Sequence, residues 1–421
     1  MKRIKISLYQ FVLLICVFTI LISFNQAPKP QVLKDGNWRA AIQRPDGQQI
    51  IFNFETRESA GKQVIYVINA KERLLVDSIE IRGDSVFIQM PFFESGFRAK
   101  ISRQGNLEGI WIKKYGERVQ TLPFKAEYNE EKRFEVSSPA IANIAGRWSA
   151  DFKGKNNDVS TIVGEFKQSG SHLTGTFLDP TGDYRFLEGV VDGDSLKLSA
   201  FDGAHAFLFT ARIDNENKIS GGKFYSGASG VKEWSAERSA NAILADGFSE
   251  IKVKPRSGKL NLSFRDMATG RQVSIDDETF QNKVLVIQIL GSWCPNCMDE
   301  TKFLSEYYKK NHQRDIEIIG LAYERTADFK SSQKALQSFQ KRFGVTYPIL
   351  ITGVTVSDPL RAEKTLPQLE KIEAFPTTIF VDKKGNIRKT HSGFNGPATG
   401  EHYTKFKEEF NEIIDQLLAE K

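Results

Sequence analysis

The chain has 421 residues, 58 basic against 52 acidic for a formal charge of +6 at pH 7, 40% hydrophobic and 26% charged residues, 14 Pro and 32 Gly. That length exceeds the roughly 150 residues typical of one domain, so two or three cores are expected. The composition excludes a wholly disordered or collagen-like chain, and so slight a charge gives no argument for nucleic acid as a partner.

The three cysteines, Cys16, Cys294 and Cys297, are too few for a disulfide-stapled scaffold or for a structural zinc site built from cysteines alone. At the amino terminus Lys2, Arg3 and Lys5 precede an uncharged run from Ile6 to Pro28 that is almost wholly apolar as far as Phe24. At about 1.5 Å per residue, a helix over that apolar part approaches the roughly 30 Å of a bilayer core. Residues 1–27 are therefore expected to form a transmembrane helix, with the basic side in the cytoplasm and everything after Pro28 beyond the membrane. The run exceeds the apolar core of a signal peptide, and Ala27 is followed by Pro28, a poor cleavage context; a retained single-pass anchor is favoured over a cleaved signal. The expected location is the inner membrane with the soluble part in the periplasm, or the periplasm alone if the segment is removed. Cys16 reads as apolar filler of that helix.

From about residue 35 to 240 the pattern is that of strands. Runs such as Ile50 to Phe54, Val64 to Ile68 and Val86 to Ile88 are separated by Gly, Asp and Asn turns, with no long helical period. The segment also repeats. Gly36-Asn37-Trp38 returns as Gly146-Arg147-Trp148, Gly83-Asp84-Ser85 as Gly193-Asp194-Ser195, and Phe124 to Glu127 as Trp234 to Glu237, each pair 110 positions apart. A drift of two residues between these anchors aligns Ala99-Lys100-Ile101 with Ala211-Arg212-Ile213. Two copies of one antiparallel β domain, over 35–128 and 144–239, follow, each a small barrel or a sandwich with its Gly-x-Trp at the start. That short signature loosely resembles the lipocalin-like one. Arg82-Gly83-Asp84 spells an integrin-binding tripeptide, but its counterpart is Asp192-Gly193-Asp194, so the shared element is a Gly-Asp hairpin turn. Asn129 to Asn143 and Asn241 to Lys259 read as linkers.

Residues 259–421 alternate strands and helices, an α/β pattern. Val284 to Leu290 and Ile316 to Ala322 are continuous apolar runs suited to strands buried on both faces. Ser332 to Phe343 carries Ala335, Leu336, Phe339 and Phe343 on one helical face, with Gly344 where a helix-ending Gly belongs. Tyr347 to Ile351, Thr378 to Val381 and Ile387 to His391 read as strands, Glu363 to Ile372 as an extra helix with Pro367 near its start, and His402 to Ala419 as a closing amphipathic helix.

The chemistry lies in Trp293-Cys294-Pro295-Asn296-Cys297, after an apolar strand and at the start of a helix to Asn311. Unpaired N–H groups and the partial positive charge of a helix amino terminus stabilise a thiolate, lowering the first thiol's pKa below its free value of about 8.5. Cys294 is then the nucleophile and Cys297 the resolving thiol. Zinc would need two further ligands, and His172, His205, His312, His391 and His402 show no paired ligand spacing. A purely structural disulfide over so short a loop would add little stability.

Strand, Trp-Cys-Pro-Asn-Cys, helix and, about 80 residues later, Phe375-Pro376-Thr377-Thr378 before another strand resemble the thioredoxin-fold thiol-disulfide oxidoreductases, and with the membrane segment the TlpA/ResA type. The resemblance covers roughly residues 259–421. It implies a redox-active disulfide between Cys294 and Cys297, a cis-proline at Pro376 facing it, and a substrate groove formed by Trp293, Phe375, Pro376 and Thr377, with no cofactor and no metal. Glu300 matches the acidic residue of the ResA type, three after the second cysteine; helical spacing also puts Cys297, Glu300 and Leu304 on one face, where burial would raise a carboxyl pKa toward that of a proton shuttle. Thioredoxin's buried Asp, six residues before the first cysteine, is replaced by Gln288, which leaves Glu300 to move protons.

The function expected is an extracytoplasmic thiol-disulfide oxidoreductase that reduces protein disulfides, re-reduced by a membrane electron donor of the DsbD/CcdA type. A binding or scaffold protein using the β repeats is the alternative. A thiol peroxidase is less favoured, because Gly291 stands three residues before Cys294 where peroxiredoxins carry Thr.

Overall fold

The computed structural model describes residues 32–91, 94–115, 118–243, 253–254 and 258–420. The expected transmembrane helix at 1–27, and Cys16 with it, lies outside the described residues. No helix among the described residues is long and apolar enough to cross a membrane.

Alternating inward apolar and outward polar residues roll each β repeat around its own core. In Gly36–Gln43 the inward set is Trp38, Ala40 and Ile42, and in Gly146–Lys153 it is Trp148, Ala150 and Phe152. Both strands pair with the closing strand of their copy in the same register, Ala40 opposite Ala126 and Ala150 opposite Ala236. Gly36 and Gly146 both hold positive φ, at 135° and 116°, which a side chain would strain. The Gly83-Asp84 and Gly193-Asp194 pairs are two-residue hairpin turns between Arg82 and Ser85 and between Asp192 and Ser195.

The second copy closes completely. Val159–Ser169 pairs with His172–Asp179, which pairs with Leu187–Asp192, and the meander returns through Gly230–Arg238 to Gly146–Lys153. This makes an eight-stranded antiparallel barrel, so the sandwich reading falls away. The first copy is the same roll with a seam: Glu72–Val76 pairs only with Lys62–Asn69, and Ser78–Arg82 only with Ser85–Gln89. Phe201 of the second copy enters the first core, 4.3 Å from the Phe52 ring centroid and edge-on to Trp111.

The expected linker Asn129 to Asn143 is no solvated spacer. Arg133 within it is buried and donates to the Ile68 carbonyl (2.6 Å) and to the Ser199 hydroxyl (3.1 Å), and it pairs with Glu188 (3.1 Å). One guanidinium thus bridges both barrels, a role that depends on partners far away in sequence.

The carboxy-terminal domain is a seven-stranded mixed sheet with helices on its faces. Its strands are β1 (Ser263–Asp266), β2 (Gln272–Ser274), β3 (Val284–Leu290), β4 (Ile316–Ala322), β5 (Ile349–Ile351), β6 (Thr377–Val381) and β7 (Ile387–Ser392), in spatial order β2-β1-β5-β4-β3-β6-β7. The helices are α1 (Pro295–Asn311), α2 (Phe329–Phe343), α3 (Arg361–Thr365) and α4 (Glu401–Ala419). β3 lies parallel to β4 and antiparallel to β6, buried on both faces as its apolar run requires. Gly344 ends α2 in the left-handed region, with φ 60°. The helix expected from Glu363 to Ile372 is replaced by the single turn of α3, because a residue before proline avoids the helical region and Leu366 accordingly takes φ −136°, ψ 69° ahead of Pro367.

Candidate functional site

β3 delivers the chain to Gly291-Ser292-Trp293, and α1 begins at Pro295 with Cys294 as its N-cap. Pro at the first helical position costs no hydrogen bond and has its φ preset. Cys294 Sγ accepts from the Cys297 N–H at 3.2 Å, so the first cysteine sulfur sits on the helix amino terminus as expected. The two cysteines form a disulfide with Cα atoms 5.2 Å apart. Cys294 is 4% exposed and Cys297 fully buried.

The Phe375–Pro376 peptide is cis, and the Phe375 carbonyl oxygen lies 3.4 Å from Cys294 Sγ. Trp293 and Phe375 are half-buried with ring centroids 5.2 Å apart, and Trp293 Nε1 donates to the Tyr323 carbonyl at 2.8 Å. Three of the four expected groove residues therefore stand together at the sulfur. The fourth, Thr377, follows directly after Pro376 with its side chain buried and its hydroxyl donating to the Ala374 carbonyl (2.9 Å).

Glu300 is fully buried one turn beyond Cys297. Its Oε1 accepts from the Thr378 hydroxyl at 2.6 Å and its Oε2 from Gln288 Nε2 at 2.8 Å. Burial pushes its pKa up to about 7, against the opposing pull of these two hydrogen bonds. Gln288 accepts in turn from the Thr301 hydroxyl (3.1 Å), so Gln288 is itself held while it orients the Glu300 carboxyl.

Several groups at the site escape sequence reasoning. Glu324, just after β4, is buried and accepts from the Ser292 N–H (2.8 Å) and hydroxyl (2.7 Å), bracing the loop before Cys294; burial raises its pKa. Arg185 of the second barrel donates to Asp299, the fifth residue of α1 (2.6 Å), and to the Pro295 carbonyl (3.3 Å), and also pairs with Glu72 of the first barrel. Burial pushes Asp299 up to about 7, with the nearby Arg185 guanidinium pulling the other way. Asp299 is readable from sequence only as a helix-start charge, since its partners lie more than a hundred residues away.

Residues 257–404 match the Redoxin family model. Over 142 residues the chain is 27% identical to the thiol-disulfide oxidoreductase ResA of Halalkalibacterium halodurans, covering 34% of this chain and 68% of that protein. Over 124 residues it is 25% identical to the ResA of Geobacillus thermodenitrificans, covering 30% of this chain and 62% of that one, so it spans about two thirds of these relatives' length. A crystal structure of a thioredoxin-family thiol:disulfide interchange protein from Chlorobium tepidum aligns at 17% identity over 41% of this chain and all of that one, with a TM-score of 0.30. The family match and the named relatives support an oxidoreductase. The carboxy-terminal region is thus a Redoxin domain whose homologues over that stretch are thiol-disulfide oxidoreductases of the ResA/TlpA kind.

Proposed function

We propose that this protein is a thiol-disulfide oxidoreductase, held by its amino-terminal apolar segment with the soluble part in the periplasm, that reduces disulfides of protein substrates. The observation that carries the chemistry is the Cys294 sulfur seated on the α1 amino terminus, with Cys297 and Glu300 buried one turn apart behind it. The location rests on the sequence of residues 1–27 alone.

In the reduced protein the Cys294 thiolate attacks one sulfur of a substrate disulfide; a mixed disulfide forms and the other substrate sulfur leaves as a thiolate that takes up a proton. The Cys297 thiol then gives its proton to the Glu300 carboxylate and attacks Cys294 Sγ, which closes the Cys294–Cys297 bond and frees the second substrate thiol. Two electrons pass to the substrate, and a dithiol donor, of the DsbD/CcdA type, returns them. A carboxyl with pKa near 7 is matched to this proton transfer at neutral pH.

Cys297→Ala removes the resolving thiol while leaving the nucleophile. Expressed in cells, that variant is expected to accumulate mixed disulfides through Cys294, released by dithiothreitol and absent from a Cys294→Ser/Cys297→Ala double variant. If no adduct forms and the wild-type protein does not reduce insulin, the reading fails.

A further inference from the structure

The second barrel reaches into the reactive motif through the connection between its strands His172–Asp179 and Leu187–Asp192. Gly182 lies so close to Asn296, between the two cysteines, that a Cβ there would stand 2.0 Å from Asn296 Nδ2 and 2.8 Å from the Phe394 carbonyl, and its φ of 139° strains any side chain. The same connection backs onto the loop after β7: a Cβ on Gly393 would come within 2.8 Å of the Pro180 carbonyl. Buried Asp183 accepts from the Gly396 N–H at 2.6 Å. Arg185, its side chain 11% exposed, holds the Pro295 carbonyl and Asp299. Both residues between the cysteines are therefore contacted by the barrel. Among the described residues no hydrogen bond, ion pair or ring contact is seen from this connection to Trp293 or Phe375, on the other side of Cys294.

By the 110-residue offset Gly182 corresponds to Glu72 and Arg185 to Leu75 in the first barrel. Glu72 pairs with Arg185, and the Leu75 carbonyl accepts from Arg342 of α2 at 2.8 Å. Equivalent stretches of the two repeats, a connection in the second and the strand Glu72–Val76 in the first, face the Redoxin domain, one at α1 and one at α2.

We propose that the connection Pro180–Arg185 is one wall of the substrate site, and that Gly182 and Arg185 are specificity-determining residues restricting Cys294 to disulfides presented from the Trp293–Phe375 side. This rests on the exchange chemistry proposed above. Substrates so selected are small disulfides and disulfides on slender, extended segments, whereas one set in a broad folded surface meets the barrel before it meets the sulfur.

The first test uses the reduced wild-type protein and needs no turnover. Alkylation of Cys294 by a polyethylene-glycol maleimide, relative to N-ethylmaleimide, is expected to be about tenfold or more slower than the same ratio for glutathione, since access as well as thiolate character controls thiol reactivity. A ratio equal to that of glutathione overturns the wall. The second test displaces the connection in two ways, Gly182→Ala by steric conflict with Asn296 and Arg185→Met by loss of its anchor. The ratio of kcat/KM for a folded disulfide protein to kcat/KM for a small aromatic disulfide is expected to rise roughly threefold or more over wild type, through KM for the folded protein. Parallel changes for both substrates, or none, overturn the proposal. A wild-type protein that shows the maleimide discrimination yet reduces neither substrate would sink the exchange chemistry and leave the wall standing.

Discussion

Glu300 has both carboxyl oxygens occupied by neutral donors, Thr378 and Gln288, and no cation beside it among its hydrogen-bond partners. Desolvation therefore dominates, and the carboxyl is held protonated to about pH 7. Because its folded pKa lies above the unfolded value, the folded state binds the extra proton between these two pKa values, so stability falls as pH rises from about 4.5 to 7. Glu300→Gln removes that dependence. The share of Glu300 in the loss of stability across this window, roughly 3 kcal/mol by the pKa difference, is expected to disappear in the variant, with the share of Asp299 remaining, when urea melts are compared at the two ends. In turnover, the same variant should resolve the mixed disulfide about ten- to a hundredfold more slowly and lose the inflection near neutrality. A pH profile unchanged by the substitution would remove Glu300 from the mechanism. The carboxylate itself was legible in the sequence from its place one turn after Cys297. Its two hydrogen-bond donors were not, since they arrive from β3 and β6.

At the scale of elements, local signals decided what could be read. Capping, apolar runs and the Cys-x-x-Cys spacing are all contained within a few residues, so β3, β4, α2 and α4 fall within a few residues of where the sequence puts them. The extra helix failed for an equally local reason, the constraint that Pro367 imposes on Leu366. The repeat was also legible, but not how each copy treats its buried Trp. Trp38 Nε1 donates to the Thr56 hydroxyl (2.9 Å), which itself donates to the Lys34 carbonyl (2.6 Å), whereas Trp148 Nε1 donates to the Ile144 carbonyl (2.9 Å). The residue 110 positions after Thr56 is Phe166, so the two copies satisfy the same indole from different directions. Thr56→Val is expected to cost about 2 kcal/mol in a denaturant melt, by leaving the buried Trp38 indole N–H unpaired; an unchanged midpoint would show that water reaches the indole.

For the whole molecule the unforeseen feature is how little of it is independent. The sequence suggests beads on linkers, yet Arg133 ties the barrels together, Phe201 of the second barrel is buried in the core of the first, and Arg185 joins both to α1. These contacts span more than fifty residues each and involve charged side chains that a sequence reading assigns to solvent. Arg133→Met leaves Glu188 without that partner and the Ile68 carbonyl without its donor. It is expected to destabilise by about 3 kcal/mol and to split a single calorimetric transition into two, as the barrels begin to unfold separately. A single, unshifted transition would show that the shared core alone couples them.

The seam in the first barrel carries this further. A closed ring of strands has no ends from which to fray, whereas Glu72–Val76 and Ser78–Arg82 each keep one row of backbone groups outside any ladder. Amide hydrogens over 72–82 are therefore expected to exchange with deuterium well before those over 187–192, in a protein whose two repeats otherwise share a register. Glu72 lies on that looser edge and is also a partner of Arg185. Opening of that edge is therefore expected to loosen the hold that Arg185, through Asp299 and the Pro295 carbonyl, keeps on the start of the helix that carries both cysteines.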